Sequence, residues 1–242
     1  MIEAKRRNSY KLEQEALNNL PRIIEESVME TQDLRRQYGD FRQGTDLLSR
    51  YKKTKRYERV YGEAQRLKRK VRRPRDSSEL SRSFAGLVFR DIAYASCAFE
   101  CHDSSLVFSP EKTSEFWKML YANKGVIDYR FGQEALKRVH VPNGILVDRS
   151  KPSDTSNSFV LRLYEYSLVR DEKYLEKELK EIRFQCKRFP GLFAEADIKF
   201  VIPRTFPSPE LEGGQHNVDF LQLPITRVEF GHFINDLYNS MR

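Results

Sequence analysis

The chain is poor in cysteine and has no long apolar run, and these two shortages exclude disulfide scaffolds and membrane-spanning proteins. Its 242 residues include three cysteines, too few and too irregularly spaced for a disulfide framework. Such free thiols usually pack as small buried hydrophobes. No run of about eighteen apolar residues is present, so a membrane span is excluded. Residues 1–7 lead into a polar amphipathic stretch and not into an apolar signal core. We therefore expect a soluble, cytoplasmic protein.

Positive charge, in contrast, is abundant and concentrated in one segment. The formal net charge is +8, but residues 50–75 contain thirteen Lys or Arg against two acids, so this segment carries +11 and the other residues sum to −3. A polyanion attracted electrostatically would contact this segment first. The basic side chains that we expect to bind nucleic acid are Lys52, Lys53, Lys55, Arg56, Arg66, Lys68, Arg69, Lys70, Arg72 and Arg73.

Three tyrosines, Tyr51, Tyr57 and Tyr61, alternate with these cations at positions from which they could stack on bases. Duplex DNA contacted through its phosphates is the simplest partner that the segment indicates, and RNA is the second. An anionic membrane surface fits less well, because the segment has no stripe rich in Trp, Phe and Leu. A plain solvated surface is the structural alternative for a helix rich in Lys and Arg.

The first 80 residues are predicted to form a helical, basic N-terminal region. Apolar residues recur at three- and four-residue steps over residues 9–38, which predicts a helix, and Pro21 inside this pattern indicates either a kink or a break between two helices. A second, sparsely apolar helix is predicted over residues 47–71. Residues 75–79 resemble a linker or a capping segment and mark a candidate domain boundary.

From Phe84 onward the pattern predicts one α/β domain, over residues 84–242. Helices are predicted at residues 84–95, 109–121, 172–189 and 226–238, and strands at residues 106–108, 125–129, 144–148, 159–166, 197–202 and 220–223. Thr226 and Glu229 form a capping pattern at the start of the last helix. This order of elements predicts a mixed central sheet that is flanked by helices on both faces.

Two short segments, residues 141–147 and 161–167, carry the chemistry of interest. An apolar strand opens on Pro142-Asn143-Gly144, and after a hydrophilic loop a second apolar strand carries Glu165 near its end. This layout resembles the catalytic hairpin of the PD-(D/E)XK nuclease superfamily, which has the restriction-endonuclease-like fold. The order of elements is similar too, and the resemblance covers about residues 84–242. Glu165 matches the pattern, whereas Asn143 stands where Asp is expected and Ser167 where Lys is expected.

The resemblance implies a metal site and a catalytic group of residues. Asp91 on the first core helix stands where the family often has a Glu ligand, so the implied ligands of Mg²⁺ or Mn²⁺ are Asp91, Asn143 and Glu165. Ser167 stands at the position of the catalytic Lys, and Gln185 matches a Gln that many members place near the phosphate. Pro142-Asn143-Gly144 is also a turn signature that any hairpin could use.

The two replacements weaken the case for catalysis. Asn143 offers a neutral carbonyl oxygen without the charge that offsets the dehydration of Mg²⁺. Ser167 supplies no cation, although a neighbouring basic side chain could take over that role. The candidates that lie close in sequence are Arg170, Lys173, Lys177 and Lys180.

Three functions remain open at this point. The sequence favours a nucleic-acid-binding protein, DNA-directed more than RNA-directed, on a nuclease-like scaffold with weak or lost Mg²⁺-dependent hydrolysis. The first alternative is an active Mg²⁺-dependent DNA endonuclease with a relocated catalytic Lys. The second is a non-enzymatic interaction module whose N-terminal helices bind a protein partner or form a homodimer. A metal cofactor, Mg²⁺ or Mn²⁺, is expected only if the chain is catalytically active.

Overall fold

The computed structural model describes residues 2–38, 47–68, 74–100, 104–121, 140–149, 159–168, 171–194, 196–204 and 217–240. The helices in these ranges are α1 (Ile2–Tyr38), α2 (Leu47–Lys52), α3 (Lys55–Lys68), α4 (Pro74–Glu100), α5 (Pro110–Leu120), α6 (Glu172–Arg188), α7 (Pro190–Phe193) and α8 (Arg227–Ser240). The strands are β1 (Ser105–Val107), β2 (Gly144–Asp148), β3 (Val160–Tyr166), β4 (Ile198–Arg204) and β5 (Val218–Thr226).

The five strands form one mixed sheet in the order β1-β2-β3-β4-β5. β1, β2 and β3 are antiparallel neighbours, whereas β4 runs parallel to β3 and β5 parallel to β4. Parallel neighbours need a long crossover, and α6 lies within the connection from β3 to β4. The α/β class and the mixed sheet flanked by helices, both predicted from the sequence, are confirmed.

The strands of the hairpin lie close to their predicted positions. β2 coincides with the strand predicted at residues 144–148, and β3 begins one residue after the predicted start at residue 159. The short strand predicted at residues 220–223 is the middle of the longer β5. The strand predicted at residues 125–129 lies outside the described residues. No helix in the described ranges is both long enough and apolar enough to cross a membrane.

Helices cover both faces of the sheet because apolar side chains alternate along its strands. On β3, Leu161 and Leu163 pack into a cluster with α1, α5, α6 and α7. Tyr164 and Tyr166 pack into a second cluster with α2, α3, α4 and α8. Residues two apart on a strand share a face. Glu165 therefore belongs to the face that α6 covers, two residues beyond Leu163.

The N-terminal helices contribute to this same core. α1 buries Ala16, Leu20 and Ile23 in the cluster that contains α5 and α6. The helix is continuous through Pro21, which is exposed, so the break considered at this residue does not occur. Residues 75–79, the predicted linker, lie inside α4. That helix begins at Pro74, a residue suited to a first helical turn because it has no N–H to leave unpaired.

Side-chain caps explain where two other helices begin. The helix predicted over residues 47–71 is divided into α2 and α3, because buried Thr54 starts α3 by accepting a hydrogen bond on Oγ1 from the Tyr57 N–H at 3.0 Å. The capping box at the start of α8 is confirmed. Glu229 N–H donates to Thr226 Oγ1 at 3.2 Å, and the Glu229 carboxylate accepts the Thr226 N–H at 2.7 Å.

Candidate functional site

The candidate site lies between β3 and α6. Glu165 is only 2% exposed, since α6 covers the face of β3 to which it belongs. The buried side chains of α6 recur at helical spacing and form one face toward the sheet: Leu175, Glu178, Leu179, Ile182, Gln185 and Cys186. The helix thus places Glu178 and Gln185 on the same buried face as its aliphatic residues.

Three ionisable side chains, His140, Glu165 and Glu178, meet beneath α6. One potential ligand atom from each lies within 4.8 Å of the corresponding atoms of the other two. His140 Nε2 is 3.5 Å from Glu165 Oε2, which is an ion-pair distance but lies outside hydrogen-bond geometry. The three residues come from separate parts of the chain: His140 precedes β2, Glu165 is on β3 and Glu178 is on α6.

Three polar atoms of this cluster have no hydrogen-bond partner among the described residues: His140 Nε2, Glu165 Oε2 and Glu178 Oε2. All three atoms are buried. Leaving a buried polar group unpaired costs about 1–3 kcal/mol, and more when the group is charged. The two carboxylates and one imidazole therefore form a buried acidic cluster in which some hydrogen-bonding atoms have no partner among the described residues.

The electrostatics of the cluster follow from burial and from this proximity. Burial and the charge of Glu165 raise the pKa of Glu178 to about 7. Burial alone would lower the pKa of His140, but its contact with Glu165 and the charges of Glu178 and Glu181 raise it. Burial and the neighbouring Glu178 also raise the pKa of Tyr174 to about 12, so its hydroxyl stays protonated at neutral pH.

His140 is held from two sides. The Gln185 amide Nε2 donates to the His140 main-chain carbonyl at 2.9 Å, and the Tyr121 hydroxyl donates to Gln185 Oε1. On the imidazole, Nδ1 lies 3.7 Å from Glu181 Oε2. Gln185, which the resemblance places near a phosphate, is 2% exposed and here fixes the position of His140.

Asn143 and Ser167 occupy the positions of the expected Asp and Lys, and both are buried. Asn143 Oδ1 accepts a hydrogen bond from the Tyr166 N–H at 3.0 Å, which ties the turn before β2 to the end of β3. The hydroxyl of Ser167 hydrogen-bonds to Glu178, and its N–H donates to the Val201 carbonyl at 3.0 Å. The structure therefore brings Asn143, Glu165 and Ser167 into one region, as the hairpin motif predicts.

Asp91 is engaged elsewhere, on α4. Its Oδ1 is 2.6 Å from Arg56 Nη2, and its Oδ2 accepts a hydrogen bond from the Tyr51 hydroxyl at 3.4 Å. Arg56 also pairs with Glu111 at 3.1 Å and lies over the ring of Tyr94, 5.0 Å from its centroid. Burial raises the pKa of Asp91, and the guanidinium of Arg56 opposes that rise. The expected third metal ligand is thus half of a buried ion pair that joins α3 to α4.

The residues present do not fit a Mg²⁺ ion bound by the implied ligands. Mg²⁺ demands near-ideal octahedral oxygen coordination at about 2.1 Å. The carboxylate of Asp91 is bound to Arg56, and Asn143 Oδ1 is bound to a main-chain N–H. Of the three implied ligands, Glu165 has a free carboxylate oxygen within the described part of the chain, and it faces His140.

The three lysines proposed as substitutes for the catalytic Lys do not point into the site. Lys173, Lys177 and Lys180 are exposed, on the face of α6 opposite its buried side chains. Arg170 lies outside the described residues. The imidazole of His140 faces Glu165 and can carry a positive charge.

Some basic side chains of residues 50–75 are exposed to solvent, whereas that of Arg56 packs inside the fold. Lys52, Lys53, Lys55 and Arg66 are exposed, as nucleic-acid contacts should be. Arg56 was predicted to be such a contact, but its side chain is 15% exposed and is committed to Asp91 and Glu111. The side chains of Lys68, Arg69, Lys70, Arg72 and Arg73 lie outside the described ones.

The three tyrosines of the segment differ in their availability to bases. Tyr51 is fully buried against Tyr57 and Phe233, so it cannot stack on a base. Tyr57 and Tyr61 are half-buried and stacked on each other, with ring centroids 5.6 Å apart. The expectation of base stacking is therefore wrong for Tyr51 and stays a prediction for the other two.

No model of a protein family, no curated protein and no solved structure matches the chain. The resemblance to the PD-(D/E)XK superfamily consequently rests on the hairpin motif and the order of elements. Sequence reasoning missed His140 and Glu178. The burial of Glu178 could have been predicted from helical spacing. It lies three residues after Leu175 and seven before Gln185, on the apolar face of α6.

Proposed function

We propose that the chain is a nucleic-acid-binding protein, DNA-directed more than RNA-directed, built on a PD-(D/E)XK nuclease-like scaffold with weak or lost Mg²⁺-dependent hydrolysis. The topology supports the scaffold: a helix, α4, precedes three antiparallel strands, with α5 inserted between the first two, and α6 then leads to the parallel strand β4. That order agrees with the element order implied by the resemblance.

The loss of hydrolysis is inferred from the hydrogen bonds that Asn143 and Ser167 make in the hairpin. Asn143 uses its carbonyl oxygen to hold the Tyr166 N–H, and Ser167 pairs with Glu178. Hydrolysis of a phosphodiester by Mg²⁺ needs anionic oxygens on the metal and open positions for water and phosphate. A buried hairpin with Glu165 as its single matching acid provides a scaffold and not that centre.

Nucleic-acid binding is supported by a cationic stripe on α3, which we define as Lys55, Arg59 and Arg66. Their separations of four and seven residues place them within about 40° of one another around the helix axis, over a length of about 16 Å. All three are exposed. Gly62 lies on the same stripe, and a Cβ there would meet no atom of the described residues within 4 Å. A phosphate backbone can therefore approach the stripe closely.

The protein-interaction alternative has less support. The apolar side chains of α1 that recur at helical spacing, Ala16, Leu20 and Ile23, are at most 1% exposed because the chain itself covers them. A helix that dimerised or bound a partner through this face would first have to leave its own core. The exposed cations Lys55 and Arg66 need no such rearrangement, and Arg59 would give up only an exposed ion pair with Glu111.

The binding experiment compares the double variant K55Q/R66Q with the control K173Q/K180Q, which removes the same charge from the exposed face of α6. We expect K55Q/R66Q to reduce the slope of log affinity against log salt by about 2, since each phosphate contributes about 0.9. The control should retain the slope of the unmodified chain. Equal effects of the two variants would reject α3 as the contact surface.

The cleavage experiment restores the family residues with Asn143→Asp and Ser167→Lys. We expect the unmodified chain to cleave duplex DNA slowly or not at all with Mg²⁺, and the double variant to cleave faster, because it regains one anionic ligand and one cation. Glu165→Ala in the restored variant should abolish that cleavage. Rapid Mg²⁺-dependent turnover by the unmodified chain, lost on Glu165→Ala, would show an active nuclease and overturn the proposal.

A further inference from the structure

The strongest unassigned feature is the cluster of His140, Glu165 and Glu178, whose chemistry differs from the implied Mg²⁺ site. It combines one imidazole nitrogen with two carboxylate oxygens, and two of its three members were not expected from the hairpin motif. Glu165 is 2% and Glu178 7% exposed, yet each keeps a carboxylate oxygen without a hydrogen-bond partner in the described part of the chain. The same holds for His140 Nε2.

We propose that His140 Nε2, Glu165 Oε2 and Glu178 Oε2 bind one divalent transition-metal ion, Zn²⁺ or Mn²⁺, at a site beneath α6. This inference goes beyond the proposed function and does not depend on it. Imidazole favours transition metals over Mg²⁺, and carboxylates are ligands for Mn²⁺ as well as for Zn²⁺. The ion supplies the positive charge that two buried carboxylates require.

The geometry is close to what such an ion needs. Metal–nitrogen and metal–oxygen bonds of about 2.1 Å place neighbouring ligand atoms about 3.0–3.5 Å apart. His140 Nε2 and Glu165 Oε2 are already 3.5 Å apart, and one ligand atom from each of the three residues lies within 4.8 Å of the other two. A bound cation would offset the repulsion between the two carboxylates and draw the ligand atoms together.

The surroundings of His140 match those of a metal-bound imidazole. Binding through Nε2 requires the proton on Nδ1, and Nδ1 faces Glu181 Oε2 at 3.7 Å. A carboxylate beside the second ring nitrogen is the usual outer partner of a histidine ligand. Gln185 holds the main chain of the same residue at 2.9 Å. The main chain of His140 is therefore fixed, and its imidazole lies between the carboxylates of Glu165 and Glu181.

The positions of the ligands indicate an ion that stabilises the fold. Here the ligands join three separate segments, the approach to β2, the strand β3 and the helix α6. An ion that binds them stabilises the folded chain, because the unfolded chain does not hold the three groups together.

The test measures metal content and melting temperature in the absence of nucleic acid, so its outcome is independent of the proposed function. The full chain is stripped with chelator, dialysed against Zn²⁺ or Mn²⁺, and analysed for bound metal. The variants are E178Q with its control E176Q, an exposed residue of the same helix, and H140Q with its control H232Q, an exposed histidine on α8.

We expect one ion per chain in the unmodified protein, E176Q and H232Q, and less than about a tenth of that in E178Q and H140Q. Zn²⁺ or Mn²⁺ at one hundred times its dissociation constant should raise the melting temperature by roughly 5–10 °C. H140Q keeps the test decisive if E178Q fails to fold. Equal metal content in E178Q and E176Q, absence of bound metal, or an equal rise with Mg²⁺ would overturn the proposal.

Discussion

The ion pair between Arg56 and Asp91 allows a quantitative test of the role that the structure gives to Asp91. We expect Arg56→Met to destabilise the fold by about 3–5 kcal/mol at pH 7, because it leaves a buried carboxylate without its cation. The side chains of Arg56 and Asp91 are 15% and 3% exposed, and their charged atoms are 2.6 Å apart. Glu111 also loses a partner, but it is half exposed and keeps Arg59.

The matched control is Arg59→Met, which breaks an ion pair to the same Glu111 from a side chain that is 50% exposed. Exposed pairs contribute about 0–1 kcal/mol, so this variant should lose little. The cost of Arg56→Met should shrink in acid as Asp91 takes up a proton. Adding Asp91→Leu should recover most of it at pH 7, since no unpaired charge then remains buried.

Urea unfolding followed by the fluorescence of Trp117 is a suitable assay. This single tryptophan is fully buried and stacks on Phe193 with ring centroids 5.2 Å apart, so its emission reports the loss of the core. A free-energy loss in Arg56→Met no larger than that in Arg59→Met would refute the reasoning. It would also free Asp91 for the metal-binding role that the hairpin motif implies.

Two further predictions concern single residues. Glu13 is 5% exposed, and burial raises its pKa despite the hydrogen bond from the Gly191 N–H. Ionisation of Glu13 therefore destabilises the folded chain at a pH above its folded pKa, and this destabilisation is absent at a pH below its unfolded pKa. Glu13→Gln should therefore stabilise the protein at pH 8 and not at pH 4 in urea melts, and a gain at pH 4 alone would contradict this sign. Thr226→Ala should lower the free energy of unfolding by about 1 kcal/mol, because it removes the side chain that caps the Glu229 N–H, and Thr226→Ser should lower it less. Equal melting temperatures of these two variants would contradict the capping role.

Elements whose pattern is local were predictable from the sequence. β2, β3 and α6 follow from short apolar runs and from three- and four-residue spacing, and the capping box of α8 follows from Thr226 and Glu229 alone. The division between α2 and α3 was not predicted, because the competing signal was a single side chain, Thr54, acting as a cap within a continuous helical pattern.

The partners of charged residues could not be predicted, because they depend on which helices pack together. The sequence predicts that Asp91 lies on a helix, but it does not predict that α3 places Arg56 beside it. The same packing turns one cation of the basic segment into a core residue while leaving Lys55 exposed. His140 and Glu178 lie 38 positions apart in the sequence and meet only when α6 covers β3.

One titration tests the central claim most directly. The unmodified chain is titrated into a fluorescent DNA duplex with Mg²⁺ at several salt concentrations, anisotropy is recorded, and the same samples are then run on a denaturing gel. Three neutralised phosphates, one for each cation of the stripe on α3, predict a slope of log affinity against log salt of about −2.7 or steeper. The duplex should remain intact. A duplex that is not bound, or one that is bound and rapidly cut, would contradict the account.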